Sequence, residues 1–493
     1  MDLPAVGRRP LTAIRPGVLA ALLVVGALAL GCARPEAPTA PRKAAGPPRT
    51  ALEATPTPTA AVDVTPAVLL ARAVCWLDDP SRASACVPPS KDAREAIRAM
   101  GASGDRRFVA PLIDMRALDV GWGVEVSDAL AALTGERFDS DAGWYGWLGA
   151  HPQPLPEGYA RWKGRLLAFI DPAYVSMLAG ASVAGVRPEL VMWAGLRPGE
   201  LPRLDAPPAV GKDDAGYLEA GDTVYALQLG AVTRAYPRRI LAWHPVVQDI
   251  VGGLPVVIAY CGPCEAASAF APSVGGRALR FRDAGLWLDG RPLLVDEQTG
   301  TVWDAFSGRA LLGPLAAGGV VLNRRALVTA TWGEWAGEHP STGVLSLGTG
   351  FARDYSAGVQ RARDAQHAAR FPATTALDGR LPPTTRVLGV VASGEARAKR
   401  IALDTLGGER LMLLSLGGER AVRVYRPGSL NVRELRDDFT AIGSDGQPGD
   451  RWWVREQAFV NQLDGRTHEV GAWAESTWAV WSSAYPNTSI WGR

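Results

Sequence analysis

The chain has 493 residues, 47% hydrophobic and 21% charged, a soluble globular balance that excludes wholesale disorder and a multi-pass membrane protein. Its 52 Lys and Arg stand against 50 Asp and Glu, a formal net charge of +2, so no basic excess draws nucleic acid over a whole face. The length allows about two to four domains, each able to bury a core.

Arg8, Arg9 and Arg15 precede an apolar run over 18–30, shorter than the roughly 20 residues a spanning helix needs. This pattern favours a signal peptide. The run ends in Leu28-Ala-Leu-Gly-Cys32, which resembles a bacterial lipoprotein cleavage box with Cys32 as the lipidated residue. Plain secretion and an uncleaved anchor are the alternatives. Residues 1–32 are therefore expected to direct export to the cell envelope, with a lipid anchor at the periplasmic or extracellular membrane face. The lipid is then the chain's contact with the membrane. Residues 33–64 are rich in Pro, Ala and Thr and read as an extended tether without a core.

Residues 65–150 carry helical spacing. Apolar residues recur at three and four over 93–100 and 108–115, and a third helix is expected over 125–133. Short helices of this kind resemble one or two HEAT-type repeats. Residues 151–215 are proline-rich and read as a connector. Beyond them, short β-branched runs are punctuated by Gly: 224–229 with 232–236 and 246–251 with 255–260 read as two hairpins.

The C-terminal portion repeats itself. Thr331-Trp-Gly-Glu-Trp-Ala-Gly-Glu-His-Pro-Ser-Thr342 recurs as Thr477-Trp-Ala-Val-Trp-Ser-Ser-Ala-Tyr-Pro-Asn-Thr488, and the 224–235 run is echoed at 387–398. Two matches in the same order imply a duplication into β-rich lobes, 216–370 and 371–493. Tyr485 stands in the second where His339 stands in the first, and the second has no cysteine. The expected fold class is α+β: a small helical HEAT-like region followed by a duplicated, two-lobed β-rich domain.

Several ordered motifs are similar to those of the bacterial domain-of-unknown-function family 3179. They include Arg234-Ala-Tyr-Pro237, Leu241-Ala-Trp-His244, Cys261-x-x-Cys264, Asp296-x-Gln-Thr-Gly-Thr-Val-Trp303, Thr331-Trp-Gly-Glu-Trp335, His339-Pro340 and Arg353-Asp-Tyr355. The resemblance covers roughly 155–493 and implies an architecture, with a helical region in front, but no reaction. The chain departs from that pattern at His244-Pro-Val-Val-Gln-Asp249, where an acidic neighbour is lost, at Ala284, and at Glu297.

Five cysteines are present. In an exported chain Cys75 and Cys86 are expected to form a structural disulfide, which leaves Cys261 and Cys264 as the thiols with possible chemistry. Three readings stay open. The pair could exchange disulfides if 265–270 opens a helix whose dipole stabilises a thiolate. It could share a copper or zinc ion with His244 or His339, a soft sulfur and nitrogen set. It could also be a structural disulfide closing a tight turn. Tyr236, Asp296, Trp303, Trp332, His339 and Arg353 are candidate binding residues, in a chain whose 17 Trp are enough to line a pocket. A binding or accessory module for a small molecule or an envelope protein, with no nucleic acid partner, stands beside a redox or metal-dependent protein using Cys261, Cys264 and His244.

Overall fold

In the computed structural model the described residues are 66–73, 90–180, 186–371, 373–374, 378–391 and, from there to 490, the strands and one helix of the C-terminal portion with the residues beside that helix. The strands between 386 and 475 are described by backbone alone. The expected signal peptide and tether, Cys32 and the expected Cys75–Cys86 pairing lie outside the described residues.

Helices come first because the apolar spacing demands a buried stripe. Ser90 caps Lys91–Ala102, its hydroxyl accepting from the Ala93 amide at 3.1 Å, which satisfies one of the donors a helix start leaves open. Ala93, Ile97 and Met100 fall on the buried face. Val109–Leu118 and Gly123–Thr134 follow, so the three helices expected at 93–100, 108–115 and 125–133 are present. The helical region then continues through Asp141–Ala150, Tyr159–Leu167 and Ala173–Ala179, the last two inside the stretch expected as a connector. Pro152, Pro154 and Pro156 precede a helix, and Pro172 caps the next; proline forbids helix interiors, not helix starts.

Between these helices Lys163 and Asp114 form an ion pair at 2.7 Å with both side chains almost fully buried. The hydroxyls of Tyr145 and Tyr159 donate to the same carboxylate, and the Lys163 ammonium lies 5.7 and 5.8 Å from the two ring centres. Burial pushes the Asp114 carboxyl up; Lys163 and the two tyrosines oppose it.

The remainder is β-rich, with mixed sheets, so the class is α+β as expected. Thr223–Leu229 and Val232–Pro237 form the first hairpin, flanked by antiparallel Val328–Thr331 on one side and parallel Gly343–Leu345 on the other. Leu254–Cys261 pairs with Val246–Val251 and with Ala266–Phe270, all antiparallel. A third sheet runs Met192–Trp193, Phe281–Leu288, Arg291–Asp296, Val302–Asp304, Ala310–Leu312. Further on, Arg386–Val391 pairs antiparallel with Trp473–Thr477 and Ala398–Ala402, and the latter pairs in parallel with Ser489–Ile490. That is the same strand order and direction as the first hairpin sheet. A seven-stranded antiparallel sheet lies between 404 and 469.

The two repeated Thr-Trp segments also match in detail. Helix Trp332–Glu338 is capped by Thr331, and the Trp335 indole donates to the Thr342 hydroxyl at 2.8 Å. Helix Trp478–Ala484 follows Thr477, and the Trp481 indole donates to Thr488 at 3.1 Å. His339 stacks on Trp335 with centroids 3.7 Å apart; Tyr485 takes the same place on Trp481 at 4.5 Å. Among the described residues no helix is long and apolar enough to cross a membrane.

Candidate functional site

The C-x-x-C motif is a hairpin turn. Cys261 ends one strand and faces Ala266 of the next, and 262–265 turn between them. Residues 266–270 are therefore a strand, not the helix that the small-residue run suggested, and no helix dipole reaches either thiol. The helix preference of alanine amounts to under about 1 kcal/mol per residue, too little to resist pairing with a waiting strand edge. Cys261 and Cys264 are a close pair, with Cα atoms 5.2 Å apart. Both are buried, at 4% and 0% exposure, and the Cys264 amide donates to the Cys261 sulfur at 3.2 Å.

Helix Ala357–Arg370 lies over this turn and closes it. Ser356 caps it, accepting from the Val359 amide. Its buried residues, Gln360 and Asp364, are four apart and so share a face. Asp364 accepts from the Tyr260 hydroxyl at 2.9 and 3.0 Å and from Arg238 at 3.0 and 3.1 Å, with Gln360 donating as well. Gly262 is required here because a methyl group in its place would overlap the Asp364 carboxylate.

The next turn of the same helix forms one wall of a cleft of about 220 Å³. Trp287 and Phe371 stack with ring centroids 4.6 Å apart and planes 15° off parallel, and His367 meets Trp287 edge-on at 5.6 Å. Arg363, His367 and Arg370 line the cleft from the helix, and Asp283 lines it from the facing sheet. Burial lowers the His367 imidazole, and Arg363 and Arg370 add to that. Burial likewise lowers the Arg363 guanidinium, with Arg353 repelling it.

Asp283 sits where the 281–288 strand breaks register with its partner, between Asp283 and Trp287. Such a bulge re-aims side chains. Gly285 supplies the left-handed residue, at φ 65°, against Tyr174 and the Leu196 carbonyl. Burial raises the Asp283 carboxyl to about 7; the Gly285 amide opposes this and Glu200 reinforces it. A buried carboxyl poised near neutrality in a cleft is a feature of functional sites.

Residues 198–488 match the family described as protein of unknown function, DUF3179. The chain belongs to the DUF3179 family. No curated protein and no solved structure matches it.

Within this DUF3179 chain most of the residues singled out from the sequence lie in packed or capped positions. His244 is buried; its Nδ1–H donates to the Pro202 carbonyl at 2.7 Å, and its Nε2 accepts from the Tyr355 hydroxyl at 2.8 Å. A carbonyl can only accept, which fixes that tautomer. Burial lowers the imidazole, reinforced by Arg353 and Arg363. Both ring nitrogens are thus occupied by Pro202 and Tyr355. Among the described residues no group of three His, Cys, Asp or Glu stands together as a metal site.

Tyr236 donates to Asp249 at 3.0 Å in the core. Asp296 accepts from the Thr299 amide and hydroxyl and from the Trp303 indole, a capped turn. Trp303 and Trp332 are buried, and His339 closes the 332–338 helix. Arg353 is exposed, with its guanidinium 5.2 Å from the Trp243 ring centre; Arg363 lies 3.9 Å from that ring.

The residues brought to the cleft in this DUF3179 fold are others: Asp283, Trp287, Arg363, His367 and Arg370. The helix part carried a readable signal, since 360, 364 and 367 follow helical spacing. The Asp283 to Trp287 part carried none, because the bulge that turns both toward one cavity depends on the partner strand.

Proposed function

We propose that this is an exported, lipid-anchored cell-envelope protein that binds a small molecule in the cleft walled by Trp287 and Phe371. In this reading Cys261 and Cys264 are joined as a disulfide that pins the turn beneath the cleft. One observation carries it: both sulfurs are buried in the core while the aromatic and cationic side chains beside them line a cavity. The volume falls below the roughly 300–1,000 Å³ of drug-sized sites, which suits a compact ligand. The matching strand order and Trp–Thr bonds support an internal duplication in which the first copy frames the cleft and the second buttresses it. The lipoprotein-like Cys32 box supports placement at a membrane surface, with the lipid as the sole membrane contact.

The test is ligand binding followed by saturation-transfer NMR on the full-length chain and its Trp287→Ala variant, with thiol alkylation and mass spectrometry in parallel. Binding that disappears in the variant is expected, together with alkylation of Cys261 and Cys264 only after both denaturation and reduction. Stoichiometric copper or zinc that is lost in Cys261→Ser, or reduction of the pair in the folded state by mild thiol, would replace this reading with metal or redox chemistry.

A further inference from the structure

We infer that the cleft selects a small carboxylate whose body is planar and apolar. The inference rests on the binding reading above and deepens it by assigning the ligand's charge and shape. Its basis is the juxtaposition of guanidiniums outside any ion pair with a stacked aromatic wall.

Arg363 and Arg370 line the cavity, seven residues apart and so on one face of the helix, with Arg353 close enough to depress Arg363 and Asp364 opposing that shift. Among the described residues none of these three arginines forms an ion pair. The acid nearest to them on the helix, Asp364, is already engaged by Arg238, Tyr260 and Gln360. Arg363 uses its Nε–H on the Ala242 carbonyl at 3.1 Å, which orients the guanidinium and leaves its terminal nitrogens for another partner. The half-buried Arg363 guanidinium is repelled by Arg353 beside it unless an anion joins them. A guanidinium fork matches the two oxygens of a carboxylate.

The aromatic wall beside Arg370, whose guanidinium lies 5.3 Å from the Phe371 ring centre, defines the rest of the ligand. Trp287 and Phe371 are stacked with nearly parallel planes, which presents an apolar flank to a flat body. Asp283 is buried to 4% exposure and lines the same cavity. As an acid held partly protonated by burial, it adds a hydrogen-bond donor where a fully ionised acid would repel an anion. A bare inorganic anion would leave the aromatic wall unused, and a cation would meet two guanidiniums.

The experiment titrates the full-length chain at pH 6.5 with four probes, following chemical shifts or Trp fluorescence: benzoate, benzamide, benzylamine and inorganic phosphate. Benzoate is expected to bind, with benzamide, benzylamine and phosphate each weaker by roughly tenfold or more, the worth of a charge-assisted pair. Arg363→Gln and Arg370→Gln are each expected to weaken benzoate by a similar factor. Arg370 is exposed, so its variant stays readable if Arg363→Gln fails to fold. Benzamide or benzylamine binding as well as benzoate would overturn the charge assignment and leave the cleft reading intact. Phosphate equal to benzoate would overturn the planar apolar body. Silence of all four probes would overturn both the ligand class and the cleft.

Discussion

Replacing Asp283 by Asn removes the carboxyl that burial raises to near neutral pH in the cleft, while the amide oxygen can still accept from Gly285. In the folded state the carboxyl titrates at about 7, against 3.8 for the free side chain. The folded protein therefore holds a proton that the unfolded chain releases between those values, and stability falls as pH rises through that window. The contribution is fully present below about 3.8 and exhausted above about 7. Roughly three units at 1.36 kcal/mol each give a loss of about 4 kcal/mol relative to Asn. Glu200 and Tyr174 beside the carboxyl, and Arg363, Asp364, His367 and Arg370 around the cleft, are common to both proteins and largely cancel in the difference. Urea unfolding of both at pH 5, 6, 7 and 8 measures it. Asp283→Asn should become progressively more stable than the wild type, by about 1.4 kcal/mol per pH unit, up to a plateau near pH 8. A pH-independent difference would refute the buried, proton-holding carboxyl. A wild type that gains on the variant as pH rises would mean an ionised and paired carboxylate.

Three further outcomes follow from the packing. Lys163→Met leaves the Asp114 charge buried without its partner and should cost about 3–5 kcal/mol in urea unfolding; adding Asp114→Asn should return part of that loss. Gly262→Ala forces Asp364 off Tyr260 and Arg238, which should cost about 1–3 kcal/mol and weaken any cleft ligand in the same titration. Thr331→Ala breaks the capping box with Glu334, with an expected loss of about 1 kcal/mol seen as a lower thermal midpoint; an unchanged midpoint would show that the helix start is held by packing alone.

Local pattern carried the helix positions, the hairpins and the repeat. The stripe at 93, 97 and 100, the glycine turn at 230 and the paired Thr-Trp segments each encode a geometry their own neighbours enforce. The repeat was informative down to the side chain: His339 and Tyr485 cover equivalent tryptophans. Local pattern misled at 265–270, where small residues suited to a helix are held as a strand by the edge of 254–261. It also undercounted helices past 150, because clustered prolines look like linker whether they precede a helix or replace one.

By itself, then, the sequence determined the α+β class, the family and the repeated strand and Thr-Trp motif. All of these follow from residues near one another in the chain or repeated along it. The tertiary structure alone decided the cleft. Asp283 and Trp287 reach it through a bulge set by a partner strand, Arg363, His367 and Arg370 through a helix about eighty residues later in the chain. No spacing rule links those two segments, because the shared cavity and the burial that raises Asp283 exist only once the helix has packed over the sheet.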